Sequence, residues 1–152
     1  MNKRHEVLFN QLDFSRKVTL DIVEFITEEQ ANIIPTGFNN NIRWNLGHIF
    51  VDQYLWIQHL TKERIEIPDG YLEWFNYGTS PANWDSSIPD LQTLTQLLEQ
   101  QPAFIRATYA ERLEQTFSET ELGMNTISQV LVRTIYHEGL HTGAIQALRK
   151  FV

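Results

Sequence analysis

The sequence predicts an all-α protein, a four-helix bundle, and three observations carry that reading. Four stretches repeat apolar residues at three- and four-residue steps, the period of one helix face. No stretch shows the strict alternation of a half-buried strand. Capping and breaking residues separate the periodic stretches. With 152 residues and no cysteine, the chain reads as one domain, 1–152, whose core needs no disulfide.

The first helix is expected over residues 4–29, on the stripe Leu8, Leu12, Ser15, Val18, Ile22 and Phe25. Pro35, Gly37 and three consecutive Asn break the chain, and Asn41 is placed to cap a second helix over 42–61. That helix carries Trp44, His48, Val51, Leu55 and Ile57. Pro89 suits the first turn of a third helix with the stripe Leu91, Leu94, Leu98, Ile105 and Tyr109, which Pro102 should kink. Asn125 or Thr126 caps the last helix, which reaches Lys150 with Ile127, Val130, Leu131, Thr134, Ile145 and Leu148 inward.

Residues 62–88 have no sustained period, yet Tyr71, Trp74, Phe75, Tyr77 and Trp84 favour burial over disorder. A link of that length can run the ~30 Å of a bundle edge, which gives an up-down-down-up order with a crossover between the second and third long helices. The competing arrangement folds the link back on one end.

Net charge is −7, from 12 basic and 19 acidic residues, and the basic residues are not clustered. Nucleic acid binding needs clustered Lys and Arg, so no nucleic-acid partner is expected. The chain opens with no signal-like segment, and no apolar run is long enough to span a membrane, so a cytoplasmic location is expected.

Without cysteine, a transition-metal site must use His, Asp or Glu. The stretch HEGLHTGAI, 137–145, places His137 and His141 one turn apart on one helix face, able to hold one metal together. It resembles a zinc-protease motif, but the remaining TGAIQALRKFV contains no His, Asp or Glu to serve as a downstream third ligand. The third ligand is therefore sought upstream, at His48 on the apolar side of the second helix. An antiparallel pairing of that helix with the last one would bring the three histidines to one end of the bundle. Three imidazoles leave coordination positions open, as catalytic sites do.

His59 shares the face of His48 but lies ~16 Å along the helix, and is read as a boundary residue; His5 is read as solvated. Glu138 has two readings, a base beside a metal-bound water or a solvated helix residue. Asp52, one turn after His48, either orients an imidazole or lies on the surface. Gly139, Gly143 and Ala147 form a small-residue ridge suited to a close contact, within the chain first and between two copies second.

The stretches NNIRWNLGHIF at 40–50 and YHEGLHTGAIQALRK at 136–150 resemble the DinB-like superfamily of metal-binding four-helix bundles. That resemblance spans the chain in length and helix order. It implies that His48, His137 and His141 bind a divalent metal, zinc or nickel, in a protein often homodimeric. Relatives include S-transferases that use low-molecular-weight thiols such as bacillithiol, and mycothiol-dependent isomerases, so the resemblance also implies thiol-S-transfer, or hydrolysis, on a small-molecule substrate. The chain departs from the pattern at Thr142 and Ala144, where the family often has Arg and Gln. A metal at such a site lowers the pKa of a bound water or thiol. Trp44, Asp52, Trp74 and Tyr77 are the candidate residues of a substrate pocket beside it. A non-catalytic bundle binding a metal or small ligand is the alternative.

Overall fold

The structure, a computed structural model, describes residues 2–152 and is helical, with one isolated antiparallel bridge between Thr116 and Thr126. Among the described residues, no helix is long and apolar enough to cross a membrane.

Helix α1 (Lys3–Asp21) begins at Asn2, whose side chain accepts from the His5 amide at 3.0 Å. It ends well short of residue 29. The Thr27 hydroxyl accepts from the Gln30 amide while the Gln30 side chain accepts from the Thr27 amide. A turn follows α1 at residues 22–25, and this reciprocal cap then starts a separate short helix, α2 (Glu28–Asn32), inside the stretch expected as one long helix. Phe25, expected on the inward stripe, is 83% exposed. The buried face of α1 is Phe9, Leu12, Arg16 and Thr19, rotated from the expected stripe to place two polar residues in the core.

Asn41 caps α3 (Ile42–Thr61), accepting from the Trp44 amide at 2.8 Å. The first ten residues of α3 are all buried, so it is the central helix. Lys62 ends it in the left-handed conformation. The long link holds a five-residue helix, α4 (Tyr71–Phe75), and a 3₁₀ turn at Pro81–Asn83. Tyr71 and Phe75 are buried and Trp74 and Trp84 half-buried, but Tyr77 is 89% exposed, against expectation. Helix α5 (Leu91–Tyr109) is capped by Asp90, one residue after Pro89, and continues through a buried Pro102. A second reciprocal cap, Thr126 with Gln129, opens α6 (Ile127–Leu148).

Each of the four long helices packs against two others: α3 on α6 and α5, α1 on α6 and α5. Side-chain pairs between α3 and α6 run in opposite order, Asn45 with His141, Asp52 with His137 and Gln53 with Thr134.

Arg16 joins all four long helices. It is 2% exposed, and its Nε and Nη2 donate to the two oxygens of Glu138 on α6 at 2.8 and 3.2 Å. Its Nη1 donates to the Leu98 carbonyl of α5, and Nη2 also to Gln53 on α3. Thr19 donates to Glu138 at 2.8 Å and meets the Thr142 hydroxyl at 2.9 Å. Desolvating two charges costs several kcal/mol each, and this bidentate geometry with further hydrogen bonds is what offsets it.

The glycines of the α6 ridge make no close backbone approach among the described residues. A Cβ built on Gly139 or Gly143 meets nothing within 4 Å, and the neighbouring Val132, Tyr136 and Leu140 are exposed. The expected close intramolecular approach is therefore corrected: α1 borders a groove beside Gly139 but does not press on the glycines.

Candidate metal centre

His48 projects from the second turn of α3, His137 and His141 from successive turns of α6, and antiparallel packing brings the three rings together. One ring nitrogen from each lies within 4.8 Å of the others. The Nε2 atoms of His137 and His141 are 3.2 Å apart. His48 is buried, and the other two are half-buried.

The opposite nitrogen of each ring has its own partner. Nδ1 of His48 is 2.7 Å from the Phe75 carbonyl, and Nδ1 of His137 is 3.0 Å from Asp52 Oδ2. Nδ1 of His141 is 2.8 Å from Asn45 Oδ1. The Asn45 amide orientation is fixed because its Nδ2 donates to the Asn41 carbonyl at 2.8 Å. A carbonyl, an ionised carboxylate and an amide oxygen are acceptors only, so each Nδ1 carries the proton. In the neutral form of each ring the lone pair is then on Nε2, and the Nε2 atoms of His137 and His141 face each other at 3.2 Å. Three such nitrogens gathered within 4.8 Å could hold a cation between them.

The donor set and spacing fit one. Two nitrogens bound at ~2.0–2.1 Å in a tetrahedral site stand about 3.4 Å apart, close to the observed separation of His137 and His141. The oriented Nδ1 groups are the outer hydrogen bonds that fix metal-binding imidazoles and raise their basicity.

The surroundings favour the neutral form of His48 and His141. Burial holds the His141 pKa down at about 3, reinforced by His48 and His137, and burial lowers His48 as well. Burial would raise the Asp52 pKa, but its hydrogen bond to His137 and the nearby Arg133 prevail and lower it. Asp52 therefore stays an acceptor.

Packing supports the site from behind. The Trp44 ring stacks on His48 at 4.6 Å and 11°, with its Nε1 donating to the Thr79 hydroxyl at 2.8 Å. Gly47 lets Phe75 reach His48, since a Cβ there would stand 2.3 Å from the Phe75 ring.

A cleft of about 660 Å³ opens beside the histidines. Its near end holds His48, His137, Asp52 and Arg133, its apolar wall Leu55, Trp56 and Tyr77, and its far end His59, Lys62 and Glu121. His59, expected only at a boundary, bonds Glu121 at 2.8 Å and lines this cleft. His5, expected to be solvated, keeps only 13% of its side chain exposed and bonds Glu114.

Of the residues singled out from sequence, His48, His137, His141 and Asp52 come together, and Tyr77 lines the cleft. Trp44 lies behind His48. Trp74 does not line the cleft; it packs on Tyr71 and Phe75, closed over Gly70. Glu138 is turned into the core, its carboxylate held by Arg16 and Thr19, and its geometry gives it no part as a base at the histidines. Sequence reasoning missed Asn45 and Arg133, although each lies one turn from a histidine, the spacing that places side chains on one helix face. It also missed Arg16, a charge on an otherwise inward helix face.

The model of the DinB superfamily matches residues 11–145 of this chain. No curated protein matches it. Among solved structures, the chain is similar in fold to a conserved protein from Enterococcus faecalis, with a TM-score of 0.72 and 18% identity over 100% of this chain and 98% of the other.

Proposed function

Because the chain belongs to the DinB superfamily, we propose that it is a divalent-metal protein in which His48, His137 and His141 hold the ion, and that it acts on a small molecule at the adjoining cleft. The observation that carries this reading is the set of three imidazoles whose Nδ1 protons are all committed outward. Asp52, Asn45 and the Phe75 carbonyl hold those protons in place, and Trp44 fixes the plane of the His48 ring. Zinc and nickel both suit three nitrogen ligands. A bound divalent ion supplies Lewis acidity, lowering the pKa of a water or thiol that joins it.

The chemistry that follows is thiol-S-transfer from a low-molecular-weight thiol, or hydrolysis. The chain has no cysteine, so a sulfur nucleophile must arrive with a cosubstrate. The cleft walls Leu55, Trp56 and Tyr77 exclude water from one side of an incoming molecule. We read the long helices as an up-down-down-up bundle, with the crossover between α3 and α5. The opposite order of the α3–α6 side-chain pairs supports this. The exposed face of Val132, Tyr136 and Leu140 beside Gly139 and Gly143 favours a homodimer through α6, which sedimentation equilibrium tests.

Elemental analysis of protein purified without a histidine tag tests the central reading. We expect one divalent ion per chain, lost on His48→Ala or His141→Ala. A metal content near zero, or one unchanged in both variants, would refute it. Turnover with a panel of thiols and electrophiles tests the activity; bound metal without turnover would make the protein a binding module.

A further inference from the structure

We propose that Arg133 is the specificity-determining residue of the cleft, and that the ligand reaching the three histidines carries a carboxylate or similar planar oxyanion beside the group that meets the metal. This rests on the metal reading above. It adds the chemical class of the ligand and the side chain that selects it.

The argument starts from how the guanidinium is held. Arg133 lies one turn before His137 on α6 and lines the near end of the cleft. Its Nη1 donates to Asp52 Oδ2, the same oxygen that receives the Nδ1 proton of His137. Its Cζ lies 4.4 Å from the centre of the Trp56 ring. Ion pair and aromatic face together fix the guanidinium plane within one bonded partner of a metal ligand.

Its hydrogen bonding is incomplete, as is that of Arg106, which gives one nitrogen to Asp13 over the Phe9 ring; Arg133 differs in standing in the cleft beside the histidines. Arg16 grips Glu138 with two nitrogens, and Arg112 grips Glu63 with two. Among the described residues, Arg133 gives one nitrogen to Asp52, and neither Nε nor Nη2 has an acceptor. Its side chain keeps 24% of its surface exposed, so those donors are neither buried nor stranded. A guanidinium that served only to neutralise Asp52 would be expected to turn its fork onto the carboxylate. Here the stack on Trp56 holds it with donors to spare.

Charge points the same way. Asp52 and Arg133 cancel, and neutral histidines add nothing, so a bound divalent ion leaves the near end of the cleft net positive. The far end is mixed, with Lys62 set against Glu121, whose carboxylate bonds His59. An anion is therefore drawn to the histidine end, where the fork is.

The test uses the full chain loaded with cobalt(II) and two thiols that differ only beside the sulfur, mercaptoacetate and 2-mercaptoacetamide. Binding is followed by the sulfur-to-cobalt absorption band in native protein, Arg133→Met and Arg133→Lys. We expect the preference for the carboxylate to fall roughly ten- to hundredfold in Arg133→Met, the loss of a charge-assisted hydrogen bond. Affinity for the amide should stay as it was, and Arg133→Lys, which keeps charge but not the fork, should fall between. Taking the preference relative to native protein cancels the intrinsic difference between the two thiols. A preference unchanged in Arg133→Met, or an equal loss for both thiols, would overturn the proposal and leave Arg133 a support for Asp52. Should Arg133→Met lose cobalt, the same two outcomes are read from Arg133→Lys. Failure of the native protein to take up cobalt would refute the metal reading itself, a result distinct from either.

Discussion

Replacing Glu138 by Gln keeps the shape of the side chain and removes its charge. Arg16 is 2% exposed and Glu138 1%, so the guanidinium would then be left buried without its counter-ion. Breaking such a pair costs about 3–5 kcal/mol. A domain of this length loses ~0.3 kcal/mol of stability per degree near its midpoint, so the melting temperature should fall by about 10–15 °C. The double variant Arg16→Met/Glu138→Leu should recover most of that loss, because removing both charges removes the desolvation cost as well. Thermal unfolding of metal-free protein by circular dichroism measures both. Metal content, taken well below the transition, should match native protein in Glu138→Gln. An unchanged melting temperature accompanied by loss of metal would refute the reasoning and place Glu138 at the metal.

Further outcomes are expected. Asn45→Ala and Asp52→Asn each weaken the partner of one Nδ1 and should lower metal affinity about 10- to 100-fold in a folded protein, read by competition with a chromophoric chelator. The folded-state pKa values of His48 and His141 lie below the unfolded value near 6.5, so the unfolded chain binds protons first as the pH falls. Stability of the metal-free protein should therefore be fully present above about pH 6.5 and decline below it, the His141 share continuing until its pKa of about 3. Urea denaturation from pH 7 to 5 checks this; a midpoint as steady as that of a His48→Ala/His141→Ala variant would contradict it. Gly47→Ala should destabilise by about 1–3 kcal/mol, since its Cβ would strike the Phe75 ring, whereas Gly139→Ala should stabilise the monomer by up to about 1 kcal/mol. Chemical denaturation of the two variants separates them, and a shared sign would show that the close approach at Gly47 does not decide its cost.

Helix boundaries were most legible where a local signal governed them. Asn41 before Ile42, and Thr126 before Ile127, start their helices as a capping side chain must, whatever lies around them. The separate start of α2 was missed although its signal is also local, because Thr27 and Gln30 cap each other inside a run that keeps helical periodicity. Burial in the long link was legible only in part. Tyr71 and Phe75 pack beneath it, but Tyr77 stands beside the cleft, and aromatic character alone does not separate a core residue from a wall.

The sequence by itself determined the all-helical class, the absence of thiolate ligands, and the pairing of His137 with His141, because spacing along one helix fixes which side chains share a face. It also directed the search for a third histidine upstream, since no ligand type follows His141. Tertiary structure alone decided which carboxylate joins that site. Glu138, adjacent in sequence to His137, is turned about 100° around the helix and is taken by Arg16 from α1. Asp52, distant in sequence, reaches His137 because α3 runs alongside α6. Sequence adjacency on a helix separates side chains around its axis, and only packing against a second helix brings remote ones into contact.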